Sequence, residues 1–280
     1  MTHGEPFDRL YERAFAPSIS ALAPGLDLKE DLPVRIPFPL LLTSALSLVA
    51  ADLSASVPFS GETTILSLNS ATEVLTGDLD GDGVPDLAAL ADGGGGLVYS
   101  LNGGDGSTWT TVTLASNAPR PRQIEFADID GDGDLDLIYT DFDDDRVYRR
   151  FNNFSSGGTF GGRGNVAGIS GADGVRAADL DDDGDMDLIA TGRKADAYYW
   201  IENRNGLGTS WGRSTLAEDL DSPQVVAVAD LDGDGDLDIA GGGSEDGGEL
   251  VWLENTAGDA SEWAVHAIDF GWINAIGVDD

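Results

Sequence analysis

Asp128-Ile-Asp-Gly-Asp-Gly-Asp-Leu-Asp136 decides the fold, because the chain writes it four times. The other copies are Asp78-Leu-Asp-Gly-Asp-Gly-Val-Pro-Asp86, Asp179-Leu-Asp-Asp-Asp-Gly-Asp-Met-Asp187 and Asp230-Leu-Asp-Gly-Asp-Gly-Asp-Leu-Asp238, which align without gaps. They start at residues 78, 128, 179 and 230, so the repeat is 50 or 51 residues long. Self-similarity at such a period marks a repeat architecture rather than a chance motif.

The repeat reaches beyond the loop. An alternating apolar stretch precedes it, as in Ile124-Glu-Phe-Ala127 and Val225-Val-Ala-Val-Ala229, and a β-rich run such as Leu135-Asp-Leu-Ile-Tyr139 comes after it. A third stretch carries aromatics (Val98-Tyr99, Val147-Tyr148, Tyr199-Trp200, Val251-Trp252) and is followed by Asn102, Asn152, Asn203 or Asn255. A fourth is expected to begin at Trp109, Phe160, Trp211 or Trp263. Four short strands per unit, joined by Gly/Asp/Asn turns, predict the four-stranded antiparallel blade of an all-β propeller. Phe59–Leu68 reads as a fourth strand without its blade, and Ile273-Asn-Ala-Ile-Gly-Val278 as a first strand with Asp279-Asp280 opening a fifth loop. The expectation is four complete blades plus a partial blade at each end, a fragment of a larger ring such as a seven-bladed one. A closed four-blade ring is the alternative.

Within each loop, carboxylates stand at positions 1, 3, 5 and 9: Asp78, Asp80, Asp82 and Asp86; Asp128, Asp130, Asp132 and Asp136; Asp179, Asp181, Asp183 and Asp187; Asp230, Asp232, Asp234 and Asp238. Position 6 is always glycine (Gly83, Gly133, Gly184, Gly235), which permits the positive φ of a sharp turn. Alternate carboxylates then converge, and the carbonyl at position 7 (Val84, Asp134, Asp185, Asp236) turns inward. This all-oxygen set suits Ca2+, which takes about six to eight oxygens, better than Mg2+, which keeps waters in a strict octahedron. Zn2+ would want His or Cys, absent from the loops. An EF-hand needs Glu at position 12, where this chain has Ala89, Tyr139, Ala190 or Gly241. Four carboxylates at one turn repel unless a cation neutralises them.

Loops and strands together resemble the FG-GAP/VCBS-repeat family, the calcium-binding propeller repeats related to those of integrin α subunits, over residues 57–280. The resemblance implies that the twenty residues just named, through side chains at positions 1, 3, 5 and 9 and the carbonyl at 7, ligate about four Ca2+ ions on hairpins between each blade's first two strands. Asp182 departs from the Gly of the other copies at position 4, and the FG and GAP tripeptides of integrin repeats are not clear, so the VCBS-like branch fits better. That branch implies a secreted or cell-surface adhesion module.

The rest of the sequence narrows the function. Acids outnumber bases 51 to 15, a net charge of −36, which disfavours nucleic acid and anionic membranes and favours cations as partners. With no cysteine there is neither a disulfide nor a thiolate site. Arg35 precedes a short apolar run ending at Ala51, with Val49 and Ala51 at the −3 and −1 positions of a signal-peptidase site. Residues 34–51 are read as a signal peptide, a buried helix being the alternative, and residues 1–33 as an extension ahead of a true start at Val34. Residues 52–280 are the propeller repeats, with no membrane span in the mature chain.

Catalysis finds little support. Twenty acids lie in the loops, and the only histidines are His3 and His266. Gly162-Arg-Gly-Asn-Val-Ala167 has no βαβ unit around it to make a dinucleotide site. The recurring Trp and Tyr residues are expected to pack between blades rather than stack on sugars. The reading is a non-catalytic interaction module for a protein or glycan. The alternatives are the propeller of a carbohydrate-active lyase or dehydratase whose catalytic residues lie outside this segment, and a structural spacer.

Overall fold

Each Asp-rich stretch folds a strand back on itself, and four such hairpins organise the molecule. The computed structural model describes residues 64–65, 67–68, 70–91, 96–115, 118–243 and 250–268. The first blade is β1 (Ala71–Gly77), β2 (Asp86–Ala91), β3 (Gly96–Asn102) and β4 (Trp109–Ala115). The second is β5 (Pro121–Ala127), β6 (Asp136–Asp141), β7 (Arg146–Arg150) and β8 (Gly164–Gly168). The third is β9 (Ala172–Ala178), β10 (Asp187–Gly192), β11 (Ala197–Ile201) and β12 (Ser214–Ala217). The fourth is β13 (Pro223–Ala229), β14 (Asp238–Gly243), β15 (Leu250–Asn255) and β16 (Trp263–Ile268). Every blade is an antiparallel meander in sequence order, and no helix occurs among the described residues. This is the all-β, four-stranded-blade architecture that the repeat predicts.

The expected partial blades, the N-terminal extension and the signal peptide lie outside the described residues; of Phe59–Leu68 only 64–65 and 67–68 are described, outside any strand.

The second strand is the most buried of blades two to four, with β6 and β10 buried throughout, and in the first blade β2 and β3 are both almost wholly buried. The core lies between blades. One apolar cluster joins Leu79, Leu90 and Tyr99 to Ile124, Leu137 and Phe160; a second joins blades two and three; a third packs Leu180, Ile189 and Tyr198 against Val226, Ile239 and Val251. First strands carry the succession, with β5 on β1 and β2, β9 on β5 and β6, and β13 on β9 and β10.

Side chains stitch these neighbours. Glu73 accepts the Ile124 N–H at 2.6 Å, and Gln123 Oε1 accepts the Val175 N–H at 2.7 Å. The Tyr198 hydroxyl donates to the Val225 carbonyl at 3.0 Å. Gly241, at loop position 12, makes that reach possible, since a Cβ there would lie 2.1 Å from the Tyr198 oxygen.

The fourth strands depart from expectation in the middle blades. Trp109 and Trp263 open β4 and β16, but β8 opens at Gly164 and β12 at Ser214. Phe160 instead turns into the first interblade cluster, edge-on to Tyr99 at 5.3 Å, while Trp211 makes a single bridge to Asn203. The indole N–H groups of Trp109, Trp211 and Trp263 each donate to a carbonyl of the preceding turn. Phe160, Trp211 and Trp263 join the interblade clusters.

Candidate metal centres

Position 1 of each loop comes just after the first strand, and position 9 opens the second strand. The first aspartate organises the turn. Its Oδ2 accepts the N–H of the position-6 glycine at 2.8 Å in Asp78, 2.9 Å in Asp128, and 3.0 Å in Asp179 and Asp230. Its Oδ1 takes the position-4 N–H from Gly81, Gly131 and Gly233. The position-5 carboxylate accepts the N–H two residues on, at 2.8 Å for Asp82–Val84 and 2.9–3.0 Å in the other copies. These Asx-type bonds wrap the chain around its own carboxylates.

Two residues per loop sit in the left-handed region. Position 6 has φ of 86°, 92°, 93° and 103°, as its glycine predicts. Position 4 is also left-handed, at 75°, 73° and 82° for Gly81, Gly131 and Gly233 and 58° for Asp182. Aspartate is among the few residues that tolerate this conformation, which accounts for the one departure from Gly.

The position-7 aspartates reach toward the turn between the third and fourth strands. Asp134 Oδ2 accepts the Ser155 N–H at 3.3 Å, and the Asp185 and Asp236 carboxylates lie against Gly206 and Gly258.

Position 9 proves to be a hinge between loop and blade. Asp86, Asp136, Asp187 and Asp238 are all buried. One oxygen of each accepts the backbone N–H of the asparagine that ends or closely follows the third strand, at 2.7 Å for Asn102, Asn152 and Asn203 and 2.9 Å for Asn255. The other takes the position-2 N–H from Leu79, Ile129 and Leu231, whereas Asp187 takes the Trp200 indole N–H. The asparagines, visible in the sequence but without a role there, are thus part of the site.

The structure gathers ligand atoms within 4.8 Å of one another in all four loops: from Asp78, Asp80 and Asp86; Asp128, Asp130 and Asp136; Asp179, Asp181 and Asp183; and Asp230, Asp232 and Asp234. Asp82 and Asp132 stay outside the first two groups, and Asp187 and Asp238 outside the last two. These sets could hold a metal ion, and two atoms test the fit. Asp130 Oδ1 and Asp181 Oδ1, both at position 3, are buried oxygens without a hydrogen-bond partner. Such oxygens need a donor or a cation.

The electrostatics agree. Burial, augmented by neighbouring loop aspartates, pushes Asp136 and Asp187 up to about 7 despite their backbone donors. Asp86, Asp130 and Asp181 move the same way, again chiefly from burial. A bound cation would reverse these shifts.

A family model, the FG-GAP-like repeat, matches residues 78–139, 128–190 and 179–241, each match running from one Asp loop past the next. The chain belongs to the FG-GAP-like repeat family. No curated protein matches it. FG-GAP-like repeats suggest a propeller-like interaction module and are typical of extracellular or surface proteins. Among the described residues no helix is long and apolar enough to cross a membrane.

The sequence did not reveal one other cluster, at the end of the blades opposite the Asp loops. Arg120, Arg122, Arg193 and Lys194 surround the Phe142 ring at 4.3–5.9 Å, with Asp173 paired to Arg122 at 3.2 Å and Asp145 to Lys194 at 2.9 Å. It is assembled from the start of β5, the turn after β6 and the turn after β10, so no local motif announces it.

Proposed function

We propose that this FG-GAP-like chain is a secreted or cell-surface calcium-binding propeller that acts as a non-catalytic adhesion module for a protein or glycan. The observation that carries the reading is the pair of buried, partnerless oxygens Asp130 Oδ1 and Asp181 Oδ1 inside converging carboxylate sets. Calcium supplies the missing neighbour with the oxygen-only shell it prefers. The ligands are the twenty residues named from the sequence, including the position-7 carbonyls. The ion locks each hairpin, and the rigid blades present their loops and turns to a partner.

His266 bonds Glu254 at 2.6 Å and stacks on Trp252 with ring centroids 4.5 Å apart. The test is a glycan and protein array probed with the purified chain in calcium and in EDTA. Binding that needs calcium is expected; binding indifferent to EDTA, or turnover of a bound glycan, contradicts the proposal.

A further inference from the structure

One carboxamide serves two loops. Asn203 is 1% exposed, and its side chain donates to two blades: to the carbonyl of Ile129, position 2 of the second loop, at 2.9 Å, and to that of Met186, position 8 of the third, at 3.3 Å. Asn152 does the same between Leu79 of the first loop and Leu135 of the second, at 2.8 and 3.0 Å. Asn255 donates to Leu180 of the third loop at 3.4 Å. The amide oxygen is used as well, accepting the Phe154 N–H at 3.0 Å, the Gly208 N–H at 3.1 Å, and the Gly258 and Ala260 N–H groups at 3.2 Å. The backbone N–H of each asparagine is already engaged by position 9 of its own loop. Donors and an acceptor on one short side chain are what a carboxamide offers and a carboxylate does not.

The position-2 carbonyl that receives this bond lies between two metal-site carboxylates. Leu79 separates Asp78 from Asp80, Ile129 separates Asp128 from Asp130, and Leu180 separates Asp179 from Asp181, and each of these pairs belongs to a converging set. The peptide is held from other sides too. The three apolar residues are 1–2% exposed within the clusters between blades. In the first two loops the position-2 N–H donates to position 9, Leu79 to Asp86 at 2.9 Å and Ile129 to Asp136 at 3.2 Å. A run of hydrogen bonds thus passes from Asp187 through Asn203 and Ile129 to Asp136, and on through Asn152 and Leu79 to Asp86.

We infer that Asn152, Asn203 and Asn255 are positioning residues shared by neighbouring metal centres, and that through them adjacent blades take up calcium cooperatively; the inference rests on the calcium reading above. Without an ion the loop carboxylates repel one another. An ion draws positions 1 and 3 together and fixes the peptide between them. A fixed Ile129 carbonyl favours the placement of Asn203, and Asn203 brings its backbone N–H to Asp187 in the next loop. The link is stiff, because moving Asn203 leaves buried partners unpaired. Coupling is reciprocal, so an ion in the third loop raises the affinity of the second by the same factor.

The test is calcium titration calorimetry on full-length chains from which sites are removed in pairs. Asp80→Asn with Asp232→Asn leaves the second and third loops, which share Asn203. Asp130→Asn with Asp232→Asn leaves the first and third, which share no asparagine. The neighbouring pair is expected to bind with a Hill coefficient of about 1.5, the value for about tenfold coupling between two sites, and the separated pair with a coefficient near unity. Adding Asn203→Ala to the neighbouring pair should bring its coefficient to unity and weaken its binding on the order of tenfold. In a chain that keeps only the first loop, Asn203→Ala should leave the affinity unchanged, which a general loosening of the fold would not do. A coefficient of unity or below in the neighbouring pair overturns the inference, as does cooperativity equal in both pairs, or cooperativity that survives Asn203→Ala in protein shown to be folded. The comparison of pairs needs no change at Asn203, so it decides the matter even where that variant fails to fold. Independent sites would sink the coupling and leave the calcium reading intact, whereas no heat of binding from any chain would remove both.

Discussion

The Asp136 carboxylate accepts the backbone N–H of Asn152 at 2.7 Å, and the Asn152 side chain donates to the Leu79 carbonyl of the neighbouring blade at 2.8 Å. A loop aspartate is thereby tied through one residue to the next repeat. Asn152 also donates to the Leu135 carbonyl at 3.0 Å and caps the Phe154 N–H at 3.0 Å.

Replacing Asn152 with alanine therefore strips several buried groups at once. The expected loss is about 2–4 kcal/mol, since each buried group left unpaired costs about 1–3 kcal/mol. Urea unfolding at saturating calcium measures it, and a change within the range of about ±0.5 kcal/mol usual for bland surface substitutions would contradict the assignment.

The two left-handed positions give a paired prediction. Gly133 has φ of 92° and open space around its missing Cβ, so Gly133→Ala should cost about 1–2 kcal/mol through backbone strain alone. Asp182 already holds φ of 58°, so Asp182→Gly should leave stability within about 0.5 kcal/mol. Melting temperatures of the two variants decide it; equal losses would refute the turn geometry.

Leu180 and Leu231 occupy one repeat position in two environments, 2% and 40% exposed. Leu180→Ala should cost about 2–4 kcal/mol as a core truncation, and Leu231→Ala less than about 1 kcal/mol. Chemical denaturation separates them, and similar costs would show that Leu231 is covered as Leu180 is.

Blade stability should also depend on pH through Glu125. Burial, opposed by Arg176 at 3.1 Å and reinforced by Glu73, pushes Glu125 up to about 7 from an ordinary value of 4.5. The folded state then holds a proton that the unfolded state has lost. Its contribution is full below about pH 4.5 and disappears as pH rises toward 7. Glu125→Gln should be insensitive to this, so relative to wild type it gains about 1–3 kcal/mol between about pH 5 and pH 8. Thermal melts of both proteins across that range check the sign, which must not invert.

Much of this was legible in the sequence because the blade is a local structure. The four Asp loops, their Gly turns and the alternating strands lie within one repeat, and strand and loop places are set by spacing. Contacts that cross repeats were not legible. Asn152 signalled only its recurrence, since its acceptor lies 73 residues earlier. Phe160 looked like a strand start because its counterparts are Trp109 and Trp263, but its ring fills space beside Tyr99 instead. The left-handed state of position 4 was hidden by Asp182, whose side chain masks a requirement that three glycines would have advertised. The cations around Phe142 converge only after the blades are stacked.

Calcium titration calorimetry on the metal-free chain tests the central claim most directly. Uptake of about four ions per chain is expected, at affinities of about 10⁻⁴–10⁻³ M or tighter, with Asp130→Asn and Asp181→Asn each removing one site. At ten times the dissociation constant each ion should stabilise the fold by about 1.4 kcal/mol. No heat of binding at millimolar calcium, in protein shown to be folded, would contradict the account.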